Sequence, residues 1–317
     1  MIRFEQVSKQ FPSGTFAVKS LDFEIKKGEF FVLIGPSGSG KTTTLKMINR
    51  LIELSNGWVL INEKKISDYD INELRWNIGY VLQQIALFPH MTIAENIAVV
   101  PELKNWGKEK IVARVDELLK MVGLDPKEYR NRKPNELSGG QQQRVGVLRA
   151  LAADPEIILM DEPFSALDPF SREKLQDDML EIQRKLKKTI VFVTHDIQEA
   201  LRLGDRICLM KEGKIVQVGT PNEFLMNPAN DFVREFVGSK KLTIHLNELM
   251  TPVSIGSKLF DTKTISLSTP VGEVFEHLAL FEQIAVEDNG KQIGIISRQN
   301  ALKVISQYLR EGGQTHE

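Results

Sequence analysis

Phe30-Phe31-Val32-Leu33-Ile34-Gly35-Pro36-Ser37-Gly38-Ser39-Gly40-Lys41-Thr42 decides how this 317-residue chain folds. Five consecutive apolar residues that stop at a glycine predict a short strand buried on both faces. The next eight residues fit G-x-x-x-x-G-K-[ST], and Leu45, Ile48 and Leu51 follow at helical spacing. Strand, glycine-rich loop and helix in that order are the setting in which the pattern carries chemistry. Without Cβ atoms, the glycines let successive backbone N–H groups turn toward phosphate oxygens, and the helix start adds partial positive charge. Gly35, Pro36, Ser37, Gly38, Ser39, Gly40, Lys41, Thr42 and Thr43 are the expected nucleotide-phosphate contacts. Lys41 should reach the β- and γ-phosphates, and the Thr42 hydroxyl should ligate Mg2+.

Outward from this stretch, apolar runs at 157–160 and 190–193 alternate with helical stripes. One stripe joins Ile111, Val115, Leu118 and Val122, and another joins Leu175, Met179, Ile182 and Leu186. That alternation predicts an α/β layer structure with a largely parallel sheet. A composition break near Gly238-Ser239-Lys240-Lys241 divides the chain into residues 1–240 and 241–317. The formal net charge of −1 supplies no basic field for nucleic acid, so none is expected as partner. No apolar run reaches the ~20 residues of a membrane span. The single cysteine, Cys208, cannot form an internal disulfide. With an opening that lacks a secretory pattern, this predicts a soluble, intracellular protein in two parts.

Ile157-Ile158-Leu159-Met160 ends in Asp161-Glu162, two carboxylates at the C-terminal edge of a buried strand, where open α/β sheets place their ligands. Asp161 is placed to hold Mg2+, and Glu162, one step further, to polarise an attacking water as general base. Leu137-Ser138-Gly139-Gly140-Gln141 precedes another helical run. Ser138 can cap that helix, which makes a second anion-binding helix start. Two such starts and one nucleotide invite a composite site.

The 137–141 string, lying between a phosphate loop and an Asp-Glu strand end, resembles the signature of the ABC ATPases, and the order of motifs across 1–237 is similar throughout. The resemblance implies an ABC-type P-loop NTPase with a RecA-like core and a helical subdomain at about 87–150. It also implies a head-to-tail homodimer. Each ATP is then shared between one chain's phosphate loop and its partner's Ser138, Gly139, Gly140 and Gln141. Phe11 falls where an aromatic ring stacks on adenine, and Gln83 where a glutamine senses Mg2+ and water beside the membrane subunit. Asp168 belongs to the loop that meets the opposite chain, and His195 to the position that senses the γ-phosphate. Glu162, His195 and Gln83 are thus the implied catalytic set; Thr42, Gln83 and Asp161 are the implied Mg2+ ligands. Arg144 carries no settled chemical role and reads as structural.

Residues 46–53, 87–93, 123–126 and 150–155 further resemble the ATPases of importers for glycine betaine, carnitine, choline and related quaternary amines. The departures are Leu54-Ser55-Asn56-Gly57 for a Pro-Thr-Ser-Gly turn, Leu148 for alanine and Ser165 for glycine. Residues 241–317 resemble one small α+β CBS module with a strand, helix, strand, strand and helix order and an Asn289-Gly290 hairpin turn. The segment 242–260 reads at most as a remnant of another module. Ligand-binding CBS modules hold a ribose with an aspartate three residues after the hydroxyl residue matching Ser297. Here that position is Asn300, which favours a dimerising or degenerate regulatory tail over a nucleotide sensor.

The resulting expectation is the ATP-hydrolysing subunit of an osmoprotectant importer. It would bind ATP and Mg2+, pair with itself and with membrane permease subunits, and work indirectly with a substrate-binding protein. Its place would be the cytoplasmic face of the membrane. The alternatives are an importer for another small polar solute such as an amino acid or polyamine, a soluble ABC ATPase acting on ribosomes or DNA, and a non-catalytic ATP switch. The single uninterrupted core argues against the second, and the presence of Glu162 and His195 against the third.

Overall fold

The computed structural model describes residues 1–238, 246–252, 263–267, 269, 271–288 and 291–310. Backbone proximity divides the chain into two compact units, Met1–Val237 and Gly238–Glu317.

The first unit is built on a six-stranded sheet. Its order from edge to edge is Lys214–Gly219, Arg206–Lys211, Phe30–Ile34, Thr189–Thr194, Ile157–Asp161 and Ile78–Val81. Only Lys214–Gly219 runs antiparallel to its neighbour. The three central strands are buried at every residue, as unbroken apolar runs require when both faces are covered. Alternation then sorts their side chains. Phe30, Val32 and Ile34 join one core with the helices Ile93–Leu103, Lys108–Met121, Gly139–Leu151 and Pro169–Leu186. Phe31 and Leu33 join the other with the helix Lys41–Ile48. Arg144 pairs with Asp178 at 2.9 Å between two buried helix faces, a structural role.

That second core is closed by a sheet for which the sequence reading contained no element. Phe16–Ile25, Ile2–Gln10, Asn56–Ile61 and Lys64–Lys65 pair antiparallel in that order. The alternations Ile2-Arg3-Phe4-Glu5 and Leu21-Asp22-Phe23-Glu24-Ile25 are short local signs of it. Gln6, at φ 49°, then interrupts the pairing and breaks the period of two that would have announced a long strand. Leu51 is a second correction: the helix after the phosphate loop ends at Ile48, and Leu51 is 48% exposed beyond it. Arg50 turns left-handed at φ 53°, and the Leu51 and Ile52 N–H groups fold back onto the Lys46 carbonyl, which closes the helix.

In the second unit the strands lie in the order Thr251–Pro252, Lys291–Ser297, Gln283–Asp288 and Lys263–Ser266. The parallel pair Lys263–Ser266 and Gln283–Asp288 is bridged by helix Val271–Leu280, and Arg298–Arg310 follows the last strand. Leu249, Ile265, Val274, Ile284, Val286, Ile296 and Ala301 form its core. The expected Asn289-Gly290 turn lies outside the described residues. The described part of 242–260 is built into this same unit. Leu246 and Leu249 pack into this same core, and Thr251–Pro252 pairs with Ile295 and Gly294 of this same sheet.

Two glycines test how tightly the first unit is built. A Cβ at Gly79 would stand 2.3 Å from the Ala150 carbonyl oxygen, whereas one at Gly146, within helix Gly139–Leu151, would meet nothing within 4 Å. Gly79→Ala is expected to lower unfolding free energy by about 1–3 kcal/mol through overpacking. Gly146→Ala is expected to raise it by about 0.5–1 kcal/mol by removing a helix-interior glycine. Denaturant titration of the two variants checks both signs.

Candidate active site

Three parallel strands set the site. Ile34 lies opposite Thr194, and Asp161 opposite Val193, so the phosphate loop, the Asp161-Glu162 pair and His195 leave the sheet at one edge. The loop takes its path because two glycines permit it. Gly35 (φ 152°) and Gly40 (φ 99°) adopt positive φ, and a Cβ on either would fall within 2.5 Å of a backbone carbonyl, that of Met210 or Ala17. Lys41 Nζ lies across the loop, donating to the Gly35 carbonyl at 2.7 Å and the Pro36 carbonyl at 3.0 Å. Burial pushes the Lys41 pKa down, while the carboxylates of Glu162 and Asp161 pull it back up.

Thr42 Oγ1 donates to Asp161 Oδ1 at 2.8 Å. Two residues the sequence reading did not single out hold the other oxygen. The Tyr80 hydroxyl donates to Asp161 Oδ2 at 3.4 Å, and Lys46 Nζ stands 3.8 Å from it. Burial, then the Asp161 charge, raises the Tyr80 pKa, so the phenol stays a donor. Only the sheet order reveals this pair: strand Ile78–Val81 lies beside Ile157–Asp161, with paired residues 79 positions apart in the chain.

Glu162 stands one residue past its strand at φ 45°, a left-handed conformation costly for a residue with a Cβ. Both of its backbone groups are tied down. Its N–H donates to the Val193 carbonyl at 3.0 Å, and its carbonyl accepts from Ser165 Oγ at 3.0 Å. The strained backbone aims the carboxylate so that Oε2 faces His195 Nδ1 at 3.2 Å and accepts from Gln83 Nε2 at 3.5 Å.

The structure thus gathers Lys41, Thr42, Gln83, Asp161, Glu162 and His195. Phe11 begins a turn that leads into strand Phe16–Ile25, whose Ala17 carbonyl abuts Gly40. Its ring is 39% exposed, with Lys9 Nζ at 5.4 Å. Ser138, Gly139, Gly140, Gln141 and Asp168 make no hydrogen bond or ion pair with residues 35–43 among the described residues. Ser138 Oγ instead accepts from the Gln141 N–H, and Gln141 Oε1 accepts from the Ser138 N–H, a reciprocal capping box on helix Gly139–Leu151. The Gln141 amide also donates to the Tyr129 hydroxyl at 3.3 Å, so that side chain is already committed. Asp168 caps helix Pro169–Leu186 through the Ser171 N–H, and the Ser171 bonds hold its carboxyl below the usual range.

The oxygen donors Thr42, Asp161 and Gln83 suit Mg2+, which favours one or two protein ligands completed by phosphates and water. Among the described residues no group of three or more His, Cys, Asp or Glu could hold a metal ion. No helix of the described residues is long and apolar enough to cross a membrane.

A family model described as ABC transporter matches residues 18–165. The glycine betaine/carnitine/choline transport ATP-binding protein OpuCA of Bacillus subtilis is 51% identical over 311 residues, covering 96% of this chain and 77% of that protein. The osmoprotectant import ATP-binding protein OsmV of Salmonella typhimurium is 50% identical, covering 95% of this chain and 80% of that one. Among solved structures, the dimeric post-hydrolysis state of the ATP-binding cassette MJ0796, bound to ADP and Pi, matches with TM-score 0.63 and 39% identity. That match covers 70% of this chain and 99% of the other. With half its residues shared along nearly its whole length, the chain belongs to the ATP-binding proteins of ABC transporters and resembles those of osmoprotectant importers.

Proposed function

We propose that this chain hydrolyses ATP to drive import of a quaternary-amine osmoprotectant, working as a head-to-tail homodimer against membrane permease subunits on the cytoplasmic face. The observation that carries the hydrolytic part is Glu162. A carboxylate held in a strained backbone, with His195 at 3.2 Å and Gln83 at 3.5 Å on one oxygen, is built to orient a water and accept its proton. The cargo rests on the transport named for the relatives at 51% and 50% identity.

In this reading the phosphate loop receives the triphosphate, and Lys41 exchanges its two carbonyl partners for phosphate oxygens. Phe11 stacks on the adenine. Thr42, Asp161 and Gln83 would hold Mg2+, which when bound neutralises phosphate charge. Tyr80 and Lys46 keep Asp161 Oδ2 engaged, so Oδ1 faces Thr42. His195 keeps the Glu162 carboxylate aligned, and the partner's Ser138, Gly139 and Gly140 meet the γ-phosphate. A groove lined by Trp76, Leu82, Phe88, Val99 and Arg149 adjoins Gln83 and offers the permease an apolar seat with a cationic rim. A substrate-binding protein would deliver cargo to that permease.

The second unit is proposed to be a CBS-like module that dimerises or regulates without holding a nucleotide. Its element order supports the likeness. The residue at the ribose-holding position is spent internally: the Asn300 N–H donates to Ser297 Oγ at 3.1 Å, and the Asn300 amide donates to the Leu249 carbonyl at 2.9 Å.

Glu162→Gln is expected to bind ATP and accumulate as a closed dimer on size exclusion; turnover near that of the wild type would remove Glu162 from the mechanism. Because of the left-handed backbone, Glu162→Gly should be more stable than Glu162→Ala by about 1 kcal/mol in denaturant titration, although neither hydrolyses ATP. Lys41→Ala mixed with Ser138→Arg should recover hydrolysis that neither variant shows alone, since each mixed dimer keeps one intact composite site. A mixture no better than the average of the two would place the whole site on one chain. Uptake of labelled betaine, carnitine and choline by cells with only this system decides the cargo; uptake of none, with an amino acid or polyamine taken up instead, overturns it.

A further inference from the structure

Behind His195, three elements meet around a polar cavity of about 40 Å3 lined by Glu162, Ser165, Arg172, Thr194, His195 and Glu199. Glu199 lies on helix Ile197–Leu203, is 7% exposed, and no chemistry described so far uses it. A carboxylate kept dry at this depth is costly, and a well-packed apolar side chain would ordinarily serve stability better. Its bonds indicate what it supplies instead. Glu199 Oε2 accepts from Thr194 Oγ1 at 2.5 Å, and Thr194 Oγ1 accepts from the Asp196 N–H at 3.0 Å. A hydroxyl has one proton to give; once that proton is fixed on Glu199, its lone pairs are left for the Asp196 amide. The two bonds bracket His195 and set the turn that carries it.

On the far side, Arg172 belongs to helix Pro169–Leu186, which Asp168 caps. Its Nη2 donates to the Leu167 carbonyl at 3.2 Å, and its buried Nε has no hydrogen-bond partner among the described residues. Arg172 and Glu199 line the same cavity, and burial raises the Glu199 pKa against opposing pulls from Thr194, Arg172 and His195. The loop 165–168, through Arg172, and the His195 turn, through Glu199, therefore border one cavity.

We propose that Glu199 is a positioning residue, which through Thr194 and Arg172 ties the loop 165–168 to the His195 turn, so that a second copy of the chain engaging this loop sets how His195 meets Glu162. The inference rests on the reading of Glu162 and His195 as the hydrolytic pair.

The test is steady-state ATP hydrolysis by the full chain. Glu199→Ala should lower kcat about 10- to 100-fold, the scale of a misplaced reacting group, with KM for ATP changed by less than about twofold. Glu199→Gln, which keeps an acceptor oxygen for Thr194, should stay within about threefold of the wild-type kcat, a rescue that simple loss of packing would not give. Thr194→Val is nearly isosteric and carries the test even where Glu199→Ala does not fold; it should repeat the loss, and the double variant should be no worse than either single one. The proposal is overturned by a wild-type kcat in the variant that folds, by an effect on KM alone, or by a Glu199→Gln enzyme as slow as Glu199→Ala. His195→Ala separates the two failures. If it is inactive while Thr194→Val is fully active, only the positioning role falls; if it is fully active, the reading of the site falls with it.

Discussion

Ile34 faces Thr194 and Asp161 faces Val193 across two parallel ladders, and the chemistry depends on that register. Each strand ends where its functional residue begins: Gly35 after the first, His195 after the second, Glu162 after the third. Side chains in a strand alternate between faces, so a slip of one residue would turn the Asp161 carboxylate away from Thr42 and send Leu159 to the opposite core. Burial makes such a slip expensive. All sixteen residues of the three strands are buried, and Phe192 is gripped between Phe30 and Phe164 with ring centroids 5.8 and 5.2 Å apart. The hydrophobic effect at the centre of the sheet therefore fixes polar geometry at its edge.

What was legible in the sequence follows from the same physics. Residues 30–42, 157–162 and 190–195 announce themselves because double-sided burial writes unbroken apolar runs, and because phosphate loops require glycine at defined places. The stripes over 111–122 and 175–186 are equally plain, since a helix buries every third or fourth residue. The antiparallel sheet over 2–25 and 56–65 was not legible. Its strands are half exposed and irregular: the left-handed Gln6 cuts the first alternation short, and the second, Leu21 to Ile25, spans only five residues. Tyr80 and Lys46 were also out of reach. A tyrosine between Gly79 and Val81 looks like any strand residue until sheet order sets it beside Asp161. Ser165, a departure from the resembling pattern, turned out to hold the Glu162 carbonyl.

Charge imposes a second constraint on the site. Asp161 and Glu162 adjoin a dry lysine, and in this arrangement every one of these groups is already satisfied: Lys41 by two carbonyls, Asp161 by Thr42, Tyr80 and Lys46, Glu162 by Gln83 and His195. Binding of a polyanion must then replace bonds rather than fill open ones. The backbone is spared that exchange, since the conformations at Gly35, Gly40 and Glu162 are fixed by their own neighbours. Such pre-set dipoles need little reorganisation when charge arrives, which is the condition under which electrostatic stabilisation is strongest.

The residues assigned to a partner's nucleotide share one property that their sequence motif does not state: they are helix caps. Ser138 and Gln141 lock the start of Gly139–Leu151, and Asp168 locks the start of Pro169–Leu186. The two starts lie against each other, since a Cβ on Gly140 would stand 2.9 Å from Ser171 Oγ. Neither first turn carries a carboxylate beyond the cap itself. A pair of capped helix ends, locked together through their own short side chains, has almost no rotamer freedom left to lose on association. A surface of this kind loses little conformational freedom when anything binds to it. This helix start is therefore a rigid tile whose hydrogen bonds are internal, with Gly139 exposed and Gly140 half-buried at its tip.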